Sequence, residues 1–268
     1  MRYVVTILIA IAVVMLAYLL CENFILLTVR RVKLGNRLRI AQISDIHKKR
    51  YQGDNMLIAY RIEHEKPDLI FVTGDLVSRT ETDFTIDRGL LNELCRIAPV
   101  YMIFGNHEQS LPENEQEKLL KMLAETDVVL LRNSSASVEI GGRIFNICGI
   151  EPHYTTYKKG RSYRDLDRIT ADDIREMVGF PRGETLLLAH NPIFGREYAE
   201  WGADYTFSGH VHGGAVRLFG VGLLSPERTF FPRYTKGVYD IGEMKLCVSA
   251  GIGKLRAFNP PEIVVYDI

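Results

Sequence analysis

The sequence predicts one α/β domain, with two sheets packed face to face and helices outside, preceded by a membrane-spanning helix. Three observations predict this fold class. Buried strands alternate with helices in the first half of the chain, strands dominate the second half, and an uncharged apolar run begins the chain. Strand and helix alternation is typical of α/β domains, in which helices cover the faces of a sheet. A length of 268 residues is ample for one large domain.

The apolar run at the start of the chain predicts a membrane anchor. Residues 3–20 carry no charge, and a helix of about 20 such residues crosses the hydrocarbon core of a bilayer. Glu22 and Asn23 would mark the far interface. A cleaved signal peptide is the alternative, but a tyrosine and two leucines stand where a peptidase requires small residues. We expect residues 1–28 to form an uncleaved single-pass anchor and 29–36 to form a linker.

The distribution of charge bears on partners and on orientation. The chain has 33 Lys and Arg against 33 Asp and Glu, so no strong overall field attracts nucleic acid, and such a partner is not expected. Arg30, Arg31, Lys33 and Arg37 follow the span, whereas only Arg2 and the amino terminus precede it. The positive-inside bias therefore favours a cytoplasmic domain, although a few charges decide this and the side of the membrane stays open.

The remaining elements follow from runs of apolar residues and from turn signals. In the first half we predict strands over residues 38–43, 69–73 and 100–104, and helices over 55–65, over 86–97 and after Pro112. In the second half, a Gly-Gly pair joins strands 137–140 and 143–147 as a hairpin, and further strands are predicted over 185–188, 204–207, 245–249 and 263–266.

Polar residues follow five of these strands. They are Asp45 and His47, then Asp75, then Asn106 and His107, then His190, and finally His210 and His212. A lone histidine at a strand end is more often a structural residue, but five clusters in this position form a joint signal. Open α/β sheets bind ligands at the carboxyl ends of their strands. Of the other two histidines, His64 is expected to be a solvated helix residue and His153 a loop residue outside the site.

These residue types suit a pair of divalent metal ions. Two such ions about 3.5–4 Å apart repel each other and need an anionic bridge together with imidazole or carbonyl ligands. Asp75 is the natural bridge, because the preceding Gly74 allows a sharp turn. The alternate spacing of the Asp-x-His and His-x-His pairs lets both side chains of a pair reach one centre. Imidazole combined with carboxylate suits zinc, iron or manganese rather than calcium.

At these residues the sequence resembles the calcineurin-like metallophosphoesterases. The motifs of that family are DxH, GD, GNHE, a solitary His and GHxH, and all five are present in that order. The resemblance runs from about Arg37 to the end of the chain. The final Phe-Asn-Pro-Pro-Glu sequence at 258–262 resembles a branch of bacterial membrane-anchored members, similar to UDP-2,3-diacylglucosamine hydrolase.

The resemblance implies a four-layer αββα sandwich over residues 37–268 that hydrolyses a phosphodiester, pyrophosphate or phosphomonoester with two divalent ions (Mn, Fe or Zn). One ion would take Asp45, His47, Asp75 and His212, and the other would take Asp75, Asn106, His190 and His210. His107 matches the proton donor to the leaving oxygen. The resemblance also favours a location in the bacterial cell membrane and a lipid-linked substrate. Aromatic residues within 218–234 could receive acyl chains or touch the membrane, or could equally pack internally.

Two departures from the family pattern leave alternatives open. Ser78 stands where many members carry an Asp that orients the proton-donating histidine, which puts turnover in doubt. A catalytically lapsed metal-binding scaffold that serves a partner protein is therefore the alternative function. The basic run 48–50 follows His47 and could meet an anionic substrate or be a solvated loop. Arg79 matches an Arg that contacts phosphate in some relatives, or is a surface residue.

Overall fold

The computed structural model describes residues 2–160, 162, 165–225, 229–253 and 256–268. The helices are α1 (Arg2–Phe24), α2 (Met56–Glu65), α3 (Thr85–Ile97), α4 (Asn106–Gln109), α5 (Glu113–Ala124), α6 (Ala171–Val178) and α7 (Gly195–Trp201). The strands are β1 (Thr28–Lys33), β2 (Arg39–Ile43), β3 (Leu69–Thr73), β4 (Val100–Ile103), β5 (Val129–Leu130), β6 (Ser134–Ile140), β7 (Arg143–Gly149), β8 (Glu184–Leu188), β9 (Tyr205–Ser208), β10 (Val216–Leu218), β11 (Val221–Leu224), β12 (Gly237–Ile241), β13 (Met244–Val248) and β14 (Glu262–Asp267).

Two six-stranded mixed sheets form the centre of the domain. The first has the order β1-β14-β2-β3-β4-β5, and the second has the order β12-β13-β9-β8-β7-β6. In the first sheet β2, β3, β4 and β5 run parallel, and β14 is antiparallel to β2. In the second sheet β7, β8, β9 and β13 run parallel. The carboxyl ends of the parallel strands therefore lie together at one edge of each sheet.

The apolar side chains sort into three layers because successive strand residues face opposite sides of a sheet. In β2, Ile40 packs between the two sheets, whereas Ala41 and Ile43 pack towards α2, α3 and α5. In β8, Leu186 faces the other sheet and Leu187 faces α6 and α7. The predicted four-layer αββα sandwich is confirmed. The predicted strands and helices all form, with ends that differ by at most three residues.

Helix α1 forms over 23 residues, and it is long and apolar enough to cross a membrane. The most apolar window of this helix has a mean hydropathy of 3.0 and is not buried by the rest of the protein.

Residues 29–36, expected as a linker, differ from that expectation because most of them belong to β1. This strand pairs in parallel with β14 at the edge of the first sheet. Arg30 donates to the carboxylate of Glu262 at 3.0 Å, and Val29 packs against the core under the helices. The two arginines and the lysine of β1 hide the strand pattern in the sequence, although Arg30 and Arg31 both reach carboxylates on neighbouring elements.

Candidate metal centre

The polar clusters predicted from the sequence converge where the strand ends of the two sheets meet. His212 Nε2, which follows β9, lies 3.3 Å from Asp45 Oδ1, which follows β2. His190 Nε2, which follows β8, lies 3.4 Å from Asp75 Oδ2, which follows β3. Each of these contacts joins one sheet to the other. The site therefore depends on the face-to-face packing of the sandwich.

The backbone at the site adopts a conformation that side chains rarely favour. Five residues of the clusters have a positive φ: Asp45 (53°), His47 (51°), Asp75 (54°), His210 (69°) and His212 (50°). A non-glycine residue in the left-handed region costs of order 1–3 kcal/mol, and such residues concentrate at functional sites. Here the left-handed turns direct the side chains after each strand towards a common centre.

Two groups of potential metal ligands share one carboxylate. The first group is Asp45, His47, Asp75 and His212, and the second is Asp75, His190 and His210. Within each group the ligand atoms lie within 4.8 Å of one another. Asn106 begins α4 close to the shared Asp75, because the next residue, His107, donates its backbone N–H to Asp75 Oδ1 at 2.8 Å. The sharing of Asp75 is the arrangement expected of a bridging ligand.

Two buried polar atoms at this centre fit a divalent metal ion. His190 donates from Nδ1 to the carbonyl oxygen of Thr73 at 2.7 Å, which turns Nε2 towards Asp75. That Nε2 is buried without a hydrogen-bond partner, and so is Oδ1 of Asn106. An imidazole held through its other nitrogen by a backbone carbonyl is typical of metal-ligating histidines. The donor set fits a divalent ion, and the protein binds divalent metal.

Burial and charge set the protonation of these groups. Burial alone would raise the pKa of Asp75, but the imidazoles of His190 and His47 lower it well below its usual range. Burial lowers the pKa of His47 to about 3, so this imidazole is neutral and can offer a lone pair. Burial also acts to lower the pKa of His190, but the Asp75 and Asp45 carboxylates raise it to about 10. A metal ion must displace that proton, so metal affinity should rise with pH.

Glu108, the last residue of the GNHE motif, positions the shared carboxylate, a role that the sequence reasoning did not assign. Its fully buried carboxylate accepts hydrogen bonds from the backbone N–H groups of Asp75 (3.0 Å), Val77 (3.0 Å) and Gly105 (2.8 Å). Burial and the nearby charge of Asp75 raise the pKa of Glu108 to about 8. One side chain thus joins the turns after β3 and β4.

Glycine is required at Gly74, between β3 and Asp75. A Cβ there would lie 2.6 Å from His190 Nδ1 and 2.8 Å from the Cα of Gly105. Its φ of 88° is also unfavourable for other residues. The close approach of these three segments is what allows His190 to reach both Thr73 and Asp75.

His107 lies at the mouth of the centre and is one-fifth exposed at its side chain. Its Nε2 lies 4.0 Å from Asp75 Oδ2, and its ring centroid lies 4.3 Å from that of His47. Burial lowers the pKa of His107 to about 4, and the adjacent Arg79 guanidinium acts in the same direction. Nδ1 of His107 accepts from the backbone N–H of Arg79 at 3.3 Å. A backbone group therefore contacts this ring, in place of the carboxylate that Ser78 lacks.

Two of the three residues in the basic run 48–50 bind partners within the protein rather than facing solvent or a substrate. Lys49 is buried and donates to the carbonyl oxygen of Asn23. Arg50 donates to the carboxylate of Glu81. Both cations therefore pair within the protein.

Of the histidines expected outside the site, His64 is exposed on α2, and the exposed His153 caps a short helical turn at 154–156.

The two-sheet sandwich and its two overlapping groups of potential metal ligands are those of a metal-dependent phosphohydrolase. The model of the calcineurin-like phosphoesterases matches residues 38–214, which contain all five motifs. The chain belongs to this family.

Curated relatives span nearly the same length. The chain is 25% identical over 241 residues to the phosphodiesterase YaeI of Escherichia coli, covering 86% of this chain and 82% of YaeI. It is 26% identical over 282 residues to the UDP-2,3-diacylglucosamine pyrophosphatase LpxG of Chlamydia muridarum, covering 85% and 82%. Among solved structures, the NAD nucleotidase NadN of Haemophilus influenzae has a TM-score of 0.52 at 14% identity over 80% of this chain and 45% of that chain. This last likeness concerns the fold alone.

Proposed function

We propose that the protein hydrolyses a phosphoester with two divalent metal ions at a membrane surface. One observation carries this proposal: two groups of buried ligands overlap at a single carboxylate, Asp75. Asn106 would complete the second group through its unpartnered Oδ1. When bound, a pair of such ions would act as a Lewis acid and bring the pKa of a water molecule from about 15.7 to near 7.

The protein's own residues would position and protonate the substrate. We assign His107 as the donor of a proton to the leaving oxygen, since its ring lies beside both ligand groups and is partly open to solvent. Because Nδ1 accepts a hydrogen bond from the Arg79 backbone, a neutral ring carries its proton on Nε2, the nitrogen nearer Asp75. A proton that this ring gives to the leaving oxygen would therefore come from Nε2.

Arg79 would contact the phosphate of the substrate. Its guanidinium lies 2.8 Å from His107 Nε2. A neutral imidazole has one proton and one acceptor nitrogen, so it cannot accept from the Arg79 backbone and from the guanidinium at once. An anionic phosphate oxygen is a better partner for the guanidinium than a protonated Nε2. We therefore expect the guanidinium to turn to the substrate and to release Nε2 for the proton transfer.

The proposed activity is tested with the full-length chain in detergent micelles. After removal of metal with a chelator, added Mn²⁺ should restore hydrolysis of bis-p-nitrophenyl phosphate in proportion to the ion bound. Release of p-nitrophenol measures the rate, and the untreated protein is the reference. Absence of hydrolysis with Mn²⁺, Fe²⁺ and Zn²⁺, in protein that binds these ions, would instead support the catalytically lapsed scaffold.

Exposed apolar surface beside the site supports a lipid-linked substrate. The β10–β11 hairpin starts four residues after His212, and Phe219 at its tip is 95% exposed. Phe230 and Phe231 pair with β11 and are also exposed, whereas Tyr234 is buried. Residues 226–228 of this segment lie outside the described residues. Three exposed aromatic residues beside an anchored metal centre favour contact with hydrocarbon over internal packing.

An apolar groove continues this surface along the anchor. It has a volume of about 590 Å³ and is lined by α1 and by Phe258. Phe258 stacks on Tyr18 of α1 with ring centroids 5.7 Å apart. We propose that an acyl chain lies in this groove while its phosphoester reaches the metal centre. The name of the relative LpxG, which refers to a diacylated sugar nucleotide, supports the same class of substrate.

The double substitution of Phe230→Ser and Phe231→Ser should separate lipid-linked from soluble substrates. We expect kcat/KM for a diacylated phosphoester in mixed micelles to fall about tenfold, because loss of two aromatic side chains that would be buried against the bound acyl chains costs roughly 1.4 kcal/mol or more. Hydrolysis of bis-p-nitrophenyl phosphate should stay the same. Phe180→Ser, at an exposed residue after α6, is the matched control. Equal losses on both substrates would contradict a role in lipid binding.

We further propose that α1 spans the bacterial cell membrane and places the domain on its cytoplasmic side. The apolar window of α1 is unburied. The end of α1 at Phe24 is followed within 13 residues by Arg30, Arg31, Lys33 and Arg37. Positive charge close to a span favours the cytoplasm even when the charges are paired, because the bias depends on Lys and Arg rather than on net charge. A reporter fused to the carboxyl terminus distinguishes the two orientations.

A further inference from the structure

The last turn of α1 differs from the rest of the helix in being built into the domain. Large apolar residues from Tyr3 to Leu16 are exposed, whereas Glu22 is fully buried. A carboxylate buried at the end of an apolar helix is unfavourable unless its oxygens accept hydrogen bonds. An anchor that acted as a tether would need no such group. The partners of residues 21–24 therefore indicate what this turn does.

Glu22 is linked to the metal ligand His212 through one residue. Its carboxylate accepts from the backbone N–H of Phe258 at 2.9 Å and from that of Asn259. The side chain of Asn259, also fully buried, donates from Nδ2 to the carbonyl oxygen of His212 at 2.6 Å. The carbonyl of a residue with a φ of 50° is thus held by an amide that α1 itself fixes.

Asn23 is linked to Asp45 on a second path. Its side chain accepts from the backbone N–H of Arg256 at 3.0 Å and donates to the carbonyl oxygen of Arg256 at 2.8 Å. The Arg256 side chain donates from Nε to the carbonyl oxygen of Gly253. Gly253 in turn donates its N–H to the carbonyl oxygen of Asp45 at 2.6 Å.

A third contact reaches the loop of His47. The buried Lys49, two residues further along the chain, donates to the backbone carbonyl oxygen of Asn23. Its ammonium also lies 4.5 Å from the centroid of the Tyr51 ring, whose hydroxyl donates to the carbonyl oxygen of Leu26 at 2.7 Å. The last turn of α1 and the residues just after it therefore support the loop that carries both Asp45 and His47.

We infer that the last turn of α1 is part of the metal centre, and that Glu22 and Asn23 are positioning residues for the ligand group Asp45, His47, Asp75 and His212. Two of the paths end at the backbone carbonyl oxygens of His212 and Asp45, and the third ends at Lys49, two residues after His47. The fourth ligand, Asp75, is instead positioned by Glu108 within the domain. His190 of the second group is held by Thr73. This inference rests on the proposed dinuclear function and adds that the anchor orders one ion site more than the other.

A consequence concerns how the centre faces the bilayer. Because three hydrogen-bonded paths join the end of α1 to the site, the domain cannot swivel about a flexible joint there. The metal centre stays at one distance and one orientation relative to the helix end. A lipid-linked phosphoester would then meet a centre whose distance and orientation relative to the helix end are fixed.

The inference is tested by Mn²⁺ binding to the full-length chain in detergent micelles, followed by electron paramagnetic resonance. Glu22→Ala and Asn259→Ala should each lower the binding affinity for one of the two ions at least about tenfold. Losses of this size follow removal of groups that orient metal ligands. The other ion should bind as in the wild type, and the signal of the coupled ion pair should disappear at Mn²⁺ concentrations that saturate the wild type. Glu22→Gln, which keeps one acceptor oxygen, should bind with intermediate affinity.

Leu20→Ala is the matched control, because Leu20 is on the same part of α1 and is half exposed. Asn259→Ala leaves α1 unchanged, so it tests the path to His212 even where Glu22→Ala does not fold. Wild-type binding of both ions by Glu22→Ala and Asn259→Ala would overturn the inference, and so would an equal loss of both ions. A wild-type chain that binds no pair of ions would contradict the proposed function itself.

Discussion

Substitution of Asp75→Asn is expected to remove at least one metal ion and to lower kcat by at least about 10²-fold, more than loss of an outer group that orients a ligand. Asp75 is the one carboxylate that belongs to both ligand groups. Its negative charge offsets the repulsion between two cations held about 3.5–4 Å apart. The neutral amide keeps the shape of the side chain but loses that charge.

The metal content of purified Asp75→Asn, measured by inductively coupled plasma mass spectrometry, checks this prediction together with the hydrolysis rate. Asp172→Asn is the control, since the side chain of Asp172 is 79% exposed on α6 and away from the centre. Retention of two ions per chain in Asp75→Asn would contradict a bridging role. Loss of ions in Asp172→Asn would show that the measurement reports general instability.

His107→Ala should give the second large effect, with a different signature. We expect the variant to bind metal as the wild type does and to lose about 10²- to 10⁴-fold in kcat, the usual contribution of general acid–base catalysis. The loss should be largest for alkyl leaving groups, which need a proton, and smallest for p-nitrophenolate, which is stable as an anion. Burial and Arg79 lower the pKa of this histidine to about 4, so its protonated form is a stronger acid but only a small fraction of the ring is protonated at neutral pH.

A series of phosphoesters with leaving groups of graded pKa tests this prediction for His107→Ala. His64→Ala is the control, because His64 is exposed on α2 and bonds only within its own helix. A loss that is the same for every leaving group would show that His107 positions the substrate rather than donating a proton. Loss of metal ions from His107→Ala would assign the residue to the ligand set.

The strands and helices that were predicted each coincide with a run of apolar residues of the right period, whereas β5, β10, β11, β12, α4, α6 and α7 were not predicted. Fully buried strands such as Leu69–Thr73 contain only apolar residues and one threonine, and amphipathic helices such as Thr85–Ile97 bury one face. Strand β1 was not predictable, since arginines occupy two of its six positions and Arg30 is neutralised by Glu262, more than 230 residues later. The partner of an edge strand is a property of the fold and not of the local sequence.

The sequence predicted which candidate ligands lie together, because those residues follow the ends of strands. It did not predict the residues that position these ligands. The DxH, GD and GHxH motifs predicted which residues would meet, and the structure brings the ligand atoms of each group within 4.8 Å of one another. Glu22 was expected to mark the membrane interface, and its complete burial against Asn259 was not predicted. Such a contact spans 237 residues of chain, so no local pattern indicates it. In the sequence, Glu108 is only the last residue of the GNHE motif. Its positioning role follows from the three backbone N–H groups that donate to its carboxylate.

The most direct test of a shared dinuclear centre is the anomalous diffraction of a crystal of the full-length protein soaked with Mn²⁺. Two peaks are expected about 3.5–4 Å apart, one beside Asp45, His47 and His212, the other beside Asn106, His190 and His210, with the Asp75 carboxylate between them. A single peak, or two peaks that do not share Asp75, would contradict the account.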